Sequence, residues 1–248
     1  MGIQGPKTAE WFNRGNKALV NGVSSGFRYW GDEDTLVIDR GEGAYVYDMD
    51  GKRYIDYQLG FGPIILGHGH PEIVAVVQEM VANLDHLHSG FLSDPVIELA
   101  DALADMLPDG LDRVLPLSTG GESNEAALRM AKTHTGGFEV VAFDRSWHGV
   151  TGGAAATTYS GGRRGHGPTL PGVLTLPTPH AYRSPFNRDG DYDWRAEFEF
   201  GWDMIDRQST GQLAAVIVEP ILSSGGIIEL PQGYLAALQE KRTSGGCC

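Results

Sequence analysis

Apolar positions recur at helical spacing in "PEIVAVVQEMVAN" (71–83), with Pro71 at the first position, where a missing N–H costs nothing. A second helical pattern spans about 94–107. Beyond it the rhythm changes. Short, continuous apolar runs, "RVLPLS" (113–118), "FEVVAFD" (138–144), "GVLTLPTP" (172–179) and "LAAVIVEP" (213–220), alternate with helical segments at 121–134, 193–208 and 231–241. Continuous apolar strands between helices predict an α/β fold, a mainly parallel sheet flanked by helices on both faces.

The first 70 residues differ in style. Residues 9–19 are weakly helical, and "NGVSSGFRYWGDEDT" is irregular and punctuated by glycine. "LVIDRGEGAYVYDMDGKRYIDY" then has the pattern of strands joined by turns, with Asp50-Gly51 marking a β-hairpin. "DMDG" lacks the ligand spacing and closing Glu of a calcium loop, so the hairpin is the expectation. The expected division is an N-terminal α+β segment (1–70), a large domain (71–241) and a short tail (242–248).

Composition narrows the function. The chain has 248 residues, 41% hydrophobic and 21% charged, ordinary values for a globular protein. Its formal charge of −13 argues against a general nucleic-acid or anionic-membrane surface, but leaves room for a phosphorylated small molecule at a helix N-terminus. No apolar run reaches membrane-spanning length. The N-terminus "MGIQGP" carries neither a secretory nor a myristoylation pattern, and the only cysteines are Cys247 and Cys248. A reducing cytoplasm is the expected location.

Three stretches carry candidate chemistry. In "PLSTGGESNEAALRMAK" an apolar run stops at Ser118-Thr119, and two glycines open a helix. The pattern fits either a tight turn or an anion site built from free backbone N–H groups. It is not a Walker loop, a dinucleotide fingerprint or a nucleophile elbow. "FDRSWHG" puts Trp147 and His148 just past a strand end, as a stacking face and a polar neighbour, or as a core plug and a helix cap. "VIVEP" ends a buried strand on Glu219, a charge that needs a partner. The pairs His68/His70 and His86/His88 could share a strand face and ligate zinc, but no third ligand emerges and no metal is expected.

Taken together, "YIDYQLGFGPIILGHGHPEI", "STGGESNEAALRMAK", "SWHG" and "AAVIVEPILSSGGIIELP" resemble the class III aminotransferases of fold type I, enzymes dependent on pyridoxal 5'-phosphate (PLP). Residues 84–241 are most similar to 2,2-dialkylglycine decarboxylase, and the N-terminal segment to the glutamate-1-semialdehyde aminomutase branch. The resemblance implies that Thr119, Gly120 and Gly121 receive the cofactor phosphate and that Trp147, with His148 beside it, stacks on the ring. It places Glu219 in the network behind the ring, and Ser223, Ser224 and Phe61 on the substrate side. It further implies a small-molecule amino donor, a keto acid or aldehyde acceptor, and a homodimer.

Two departures qualify that picture. The decarboxylase carries a Gln where this chain has Phe61, which puts decarboxylation in doubt and touches transamination less. The family's Schiff-base lysine and the acid facing the ring nitrogen follow the "EP" strand. None of Lys7, Lys17, Lys52, Lys132 and Lys241 matches that lysine. The expectation is therefore a C-terminally truncated chain without turnover of its own. Its alternative is a non-catalytic binding or regulatory partner of a full-length relative.

Overall fold

The computed structural model describes residues 2–88, 90–161, 163 and 165–245; Cys247 and Cys248 lie outside the described residues. The chain forms two compact units, residues 1–101 and 102–248. Elements of the first are α1 (Pro6–Gly15), β1 (Ile38–Glu42), β2 (Tyr45–Asp48), β3 (Arg53–Ile55), α2 (Pro71–Asn83) and α3 (Asp94–Met106), which runs across the division. Those of the second are α4 (Gly120–Thr135), β4 (Glu139–Phe143), α5 (Gly152–Ala156), β5 (Val173–Leu176), β6 (Asn187–Arg188), β7 (Asp191–Tyr192), α6 (Trp194–Gln208), β8 (Leu213–Ile217), β9 (Ile221–Leu222), α7 (Ser223–Gly226), β10 (Ile228–Glu229) and α8 (Tyr234–Gly245).

In the first unit β1, β2 and β3 make an antiparallel meander, and the Asp-Gly hairpin lies where the pattern puts it, with Tyr47 opposite Arg53. Asp48 builds the turn: its carboxylate accepts the Asp50 and Lys52 N–H groups and the Tyr54 hydroxyl. Gly51 completes it at φ 82°, a conformation that suits glycine. Helix α1 departs from its expected span of 9–19. It starts at Pro6 because that ring presets φ, and because Asp50, distant in sequence, accepts the Lys7 and Thr8 N–H groups. Helix α2 has its expected bounds and α3 comes within one residue of them.

In the second unit three parallel strands stand in the order β5-β4-β8, with Val140 beside Val173 on one side and Ala215 on the other. All five residues of β4 are buried, so this strand is the axis of the core. Helix α6 covers the sheet with Phe198, Trp202 and Ile205, spaced at four and three residues on one stripe. Gly201 lets that helix approach, since a Cβ there would stand 2.6 Å from a Leu176 methyl and 2.7 Å from the Pro177 ring. Phe143, Leu176, Leu222 and Tyr234 complete the packed centre.

One expected strand is absent. Residues 113–118 form no strand, and Leu115 and Leu117 stay 61% and 44% exposed. An apolar run becomes a strand only when a neighbour completes its ladder, and Pro116 removes one donor from this one.

Glu139, the first residue of β4, is 2% exposed yet carries a carboxylate. Its oxygens accept the Ser209 and Thr210 hydroxyls and the Thr210 and Gln212 N–H groups. The loop that delivers β8 is thereby fixed to the start of its neighbouring strand.

Candidate active site

Strands β4 and β8 are parallel, so the segments that follow them, Asp144–Gly149 and Val218–Glu219, leave the sheet at the same edge. Glu219 is half-buried, and its Oε1 accepts the Trp147 N–H at 2.7 Å. The charge at the strand end thus finds a partner on the neighbouring strand's exit loop. Trp147 itself is half-buried and stands outside the buried core cluster.

That loop is held from every side. The buried Ser146 hydroxyl shares its one proton between the Phe143 and Thr157 carbonyls, 2.7 and 2.6 Å away. The Thr158 hydroxyl accepts the His148 N–H at 2.9 Å and the Gly149 N–H at 3.2 Å. From α4, Asn124 Nδ2 donates to the His148 carbonyl at 2.7 Å. Gly149, at φ 137°, then passes so close to the start of α4 that a Cβ on it would stand 2.9 Å from the Gly121 Cα.

The first turn of α4 therefore sits beside the Trp147 loop. Thr119 is its N-cap, with its hydroxyl accepting the Glu122 N–H at 3.1 Å. The Ser123 N–H and hydroxyl go to the Thr119 carbonyl. The Gly120 and Gly121 N–H groups make no hydrogen bond among the described residues. Neither glycine has a positive φ. A Cβ on Gly120 would meet nothing within 4 Å, and one on Gly121 would make only ordinary contacts of 3.6 Å or longer. A tight turn does not account for this pair, because the backbone does not need glycine here.

His148 is 6% exposed, and its Nε2 finds no partner among the described residues. It does not cap the next helix: Thr151 is the N-cap of α5, and Glu125 accepts the Ala154 N–H within it. Burial lowers its pKa to about 4, so the ring is neutral near pH 7. The unfolded chain takes up a proton near its ordinary value of 6.5 that the folded chain refuses. The contribution of this one group to stability should therefore fall as pH drops from about 6.5 to about 4 and level off below that. Urea midpoints measured across this range should flatten in His148→Gln; an unchanged slope would rule the histidine out as their source.

Ser223 and Ser224 are exposed in α7 and reach the same edge through Gly225, whose missing Cβ would stand 2.7 Å from the Arg145 carbonyl oxygen. Phe61 belongs to the first unit. It is 70% exposed on a turn where Leu59, Gly60, Phe61 and Gly62 all have positive φ, and it lines a pocket of about 660 Å³ with Phe27, Trp30 and Leu36. Of the histidine pairs, His68 is bonded to Asp56 at 2.8 Å and His88 Nδ1 accepts the Gly90 N–H. Among the described residues no cluster of metal-ligating side chains forms, and no helix is long and apolar enough to cross a membrane. The second unit holds two lysines, Lys132 in the last turn of α4 and Lys241, which pairs with Glu199 at 3.0 Å.

Asn124, Glu125, Ser146 and Thr158 also shape the site, and no local pattern marks them. The polar residues straight after the glycines are visible in "GGESNE", but nothing local says that two of them reach a loop more than twenty residues away.

The family model for class III aminotransferases matches residues 29–245. An uncharacterized aminotransferase of Schizosaccharomyces pombe is 53% identical over 232 residues, which are 93% of this chain and 50% of that protein. A glutamate-1-semialdehyde 2,1-aminomutase of Methanopyrus kandleri is 32% identical, over 95% of this chain and 51% of its own length. Among solved structures, an amine transaminase from an uncultivated Pseudomonas species, in its PLP-bound form, superposes with a TM-score of 0.77 at 28% identity. That match takes in 91% of this chain and 52% of the other. The chain spans about half the length of the curated relatives it matches. With a family model matched over most of its residues, and a fold that superposes on a solved transaminase, this chain belongs to the class III aminotransferase family.

Proposed function

We propose that this site is the phosphate- and ring-binding part of a PLP-dependent transaminase, which moves an amino group from an amino acid or amine to a keto acid or aldehyde. The observation that carries the reading is the pair of free N–H groups on Gly120 and Gly121, opening beside the Trp147 loop. Two donors at a helix N-terminus, with no side chain in the way, fit a phosphate. When bound, PLP supplies an electron-withdrawing ring that stabilises negative charge at the substrate carbon.

The chain's own residues do the holding. Gly120 and Gly121 bind the phosphate, with Thr119 fixing the geometry of their turn. Trp147 offers its face to the ring, and His148, neutral and buried, keeps water and charge away from that side. Glu219 holds the Trp147 backbone and belongs to the polar network behind the ring. Ser223 and Ser224 serve the substrate side. The apolar ring of Phe61 gives no hydrogen bond to a carboxylate, which favours plain transamination over a decarboxylation-coupled reaction. A homodimer is supported by α2, where Ile73, Val76, Val77 and Val81 are all more than half exposed.

Covalent attachment is another matter. Lys132 lies twelve residues along α4 from Gly120, about 18 Å at the helical rise, and Lys241 is engaged with Glu199. The chain by itself is therefore expected to hold the cofactor without a covalent bond and without turnover. Calorimetric titration should show pyridoxamine phosphate binding that inorganic phosphate displaces competitively. Borohydride reduction after incubation with PLP should leave no adduct at a single defined lysine. Binding unaffected by phosphate would remove the role of the α4 N-terminus. One stoichiometric lysine adduct with transaminase activity would refute the argument from lysine positions.

A further inference from the structure

Helix α4 does two things one turn apart. Its first turn presents the free N–H groups of Gly120 and Gly121, and its next turn sends two side chains across to the segment after β4. Asn124 Nδ2 donates to the His148 carbonyl at 2.7 Å. Glu125 Oε1 accepts the Thr151 hydroxyl at 2.8 Å and the Ala154 N–H at 2.9 Å. Gly153 belongs to the same contact, since a Cβ on it would stand 2.9 Å from Glu125 Oε2. The two side chains thus grip both flanks of Gly149, the residue packed against Gly121.

The loop's other hydrogen-bonded anchors, Ser146, Glu219 and Thr158, lie off α4. Gly149 limits how closely the loop approaches α4, and Asn124 and Glu125 hold it there. They stand four residues beyond the glycines, roughly one helical pitch of 5.4 Å, on the same rigid rod. The N–H pair and the Trp147 loop are therefore referred to one object.

We propose that Asn124 and Glu125 are positioning residues that hold the Trp147 loop in register with the first turn of α4, so that a phosphorylated planar aromatic ligand is gripped at both ends. The ligand rests on the cofactor reading given under Proposed function; the mechanical coupling does not. Glu125 touches neither phosphate nor ring and acts through Thr151 and α5, while Asn124 acts through the His148 carbonyl.

The test uses the full chain, amide hydrogen exchange read by mass spectrometry, and calorimetry with two probes, pyridoxamine phosphate and inorganic phosphate. In Glu125→Ala, exchange over residues 147–158 should rise on the order of tenfold while that of β4 stays level. Affinity for pyridoxamine phosphate should drop about tenfold, against less than about twofold for inorganic phosphate. Glu125→Gln keeps an acceptor oxygen for both donors and should return each quantity to within about threefold of the unaltered chain. Thr151→Val removes one partner without touching α4 and should reproduce the same pattern more weakly, which covers the case of a poorly folding Glu125→Ala.

The coupling is overturned if exchange over 147–158 stays unchanged in both Glu125→Ala and Thr151→Val. It is equally overturned if Glu125→Gln is no better than Glu125→Ala, or if β4 loosens to the same degree, the mark of general destabilisation. A parallel loss of both probes also counts against it. An unaltered chain that binds phosphate but not pyridoxamine phosphate overturns the ligand and the cofactor reading together, and the exchange pattern then judges the coupling separately.

Discussion

Replacing Gly149 by alanine is expected to cost the second unit about 3 kcal/mol and to abolish ligand binding. Two effects add. The residue sits at φ 137°, where any Cβ is strained. The new Cβ would also stand 2.9 Å from the Gly121 Cα and 3.1 Å from the Ala154 Cβ. Neither neighbour is the end of a flexible side chain, so the loop and the first turn of α4 must separate. The thermal midpoint should fall on the order of 5–10 °C.

Gly120→Ala is the matched control. Gly120 has helical backbone and empty space where a Cβ would go, so its folding stability should be unchanged or slightly raised. Pyridoxamine phosphate and inorganic phosphate should nevertheless bind at least about tenfold more weakly, because the methyl stands where the anion approaches. Calorimetry and a melting curve on the two variants separate the ideas. If Gly120→Ala binds like the unaltered chain, the phosphate does not use this turn.

Glu139→Ala is the second large effect, and it is a loss of stability alone. The carboxylate accepts four hydrogen bonds at a 2%-exposed position, and removing it strands the Thr210 and Gln212 N–H groups in the α6–β8 loop. Leaving such donors without their charged acceptor costs roughly 3 kcal/mol. Glu139→Gln should cost less, since one acceptor oxygen remains while its amide faces donors. Burial by itself would raise the carboxyl's pKa, but the bonds from Ser209, Thr210 and Gln212 outweigh it and the net shift is downward. A lowered carboxyl pKa stabilises the folded state above the unfolded value and loses that contribution as pH falls through the folded one. The stability gap between the unaltered chain and Glu139→Ala should therefore be full near pH 7 and shrink once the pH drops below about 4. Urea denaturation at several pH values measures it; a gap that persists undiminished in acid would refute the assignment.

Much of this fold is legible in one dimension. The spans of α2, α3, α4 and α6, the Asp50-Gly51 hairpin and the strand at 139–143 all follow from patterns contained within the elements themselves. The exceptions share a cause. Helix α1 begins three residues earlier than its own apolar spacing implies because its cap, Asp50, is supplied by the hairpin. The run at 113–118 has strand composition, yet a strand is a property of two segments and one of them cannot be read from the other. Glu139 looks like a polar boundary before "VVAF", and only the fold shows it tying down the arrival of β8.

The candidate site divides in the same way. Sequence alone singled out Gly120, Gly121, Trp147 and Glu219, because glycines at a helix mouth, an aromatic past a strand end and a charge closing an apolar run are local anomalies that demand explanation. It left open whether the glycines serve a turn or a ligand. The tertiary structure decided that neither backbone angle nor crowding requires them, and that their two N–H groups are unspent. It also gave Glu219 its partner in the Trp147 N–H, and it revealed Asn124 and Glu125 reaching the loop from α4. Periodicity records what each residue does for its own helix or strand; a hydrogen bond across twenty or seventy residues leaves no periodic mark, so only the packed chain displays it.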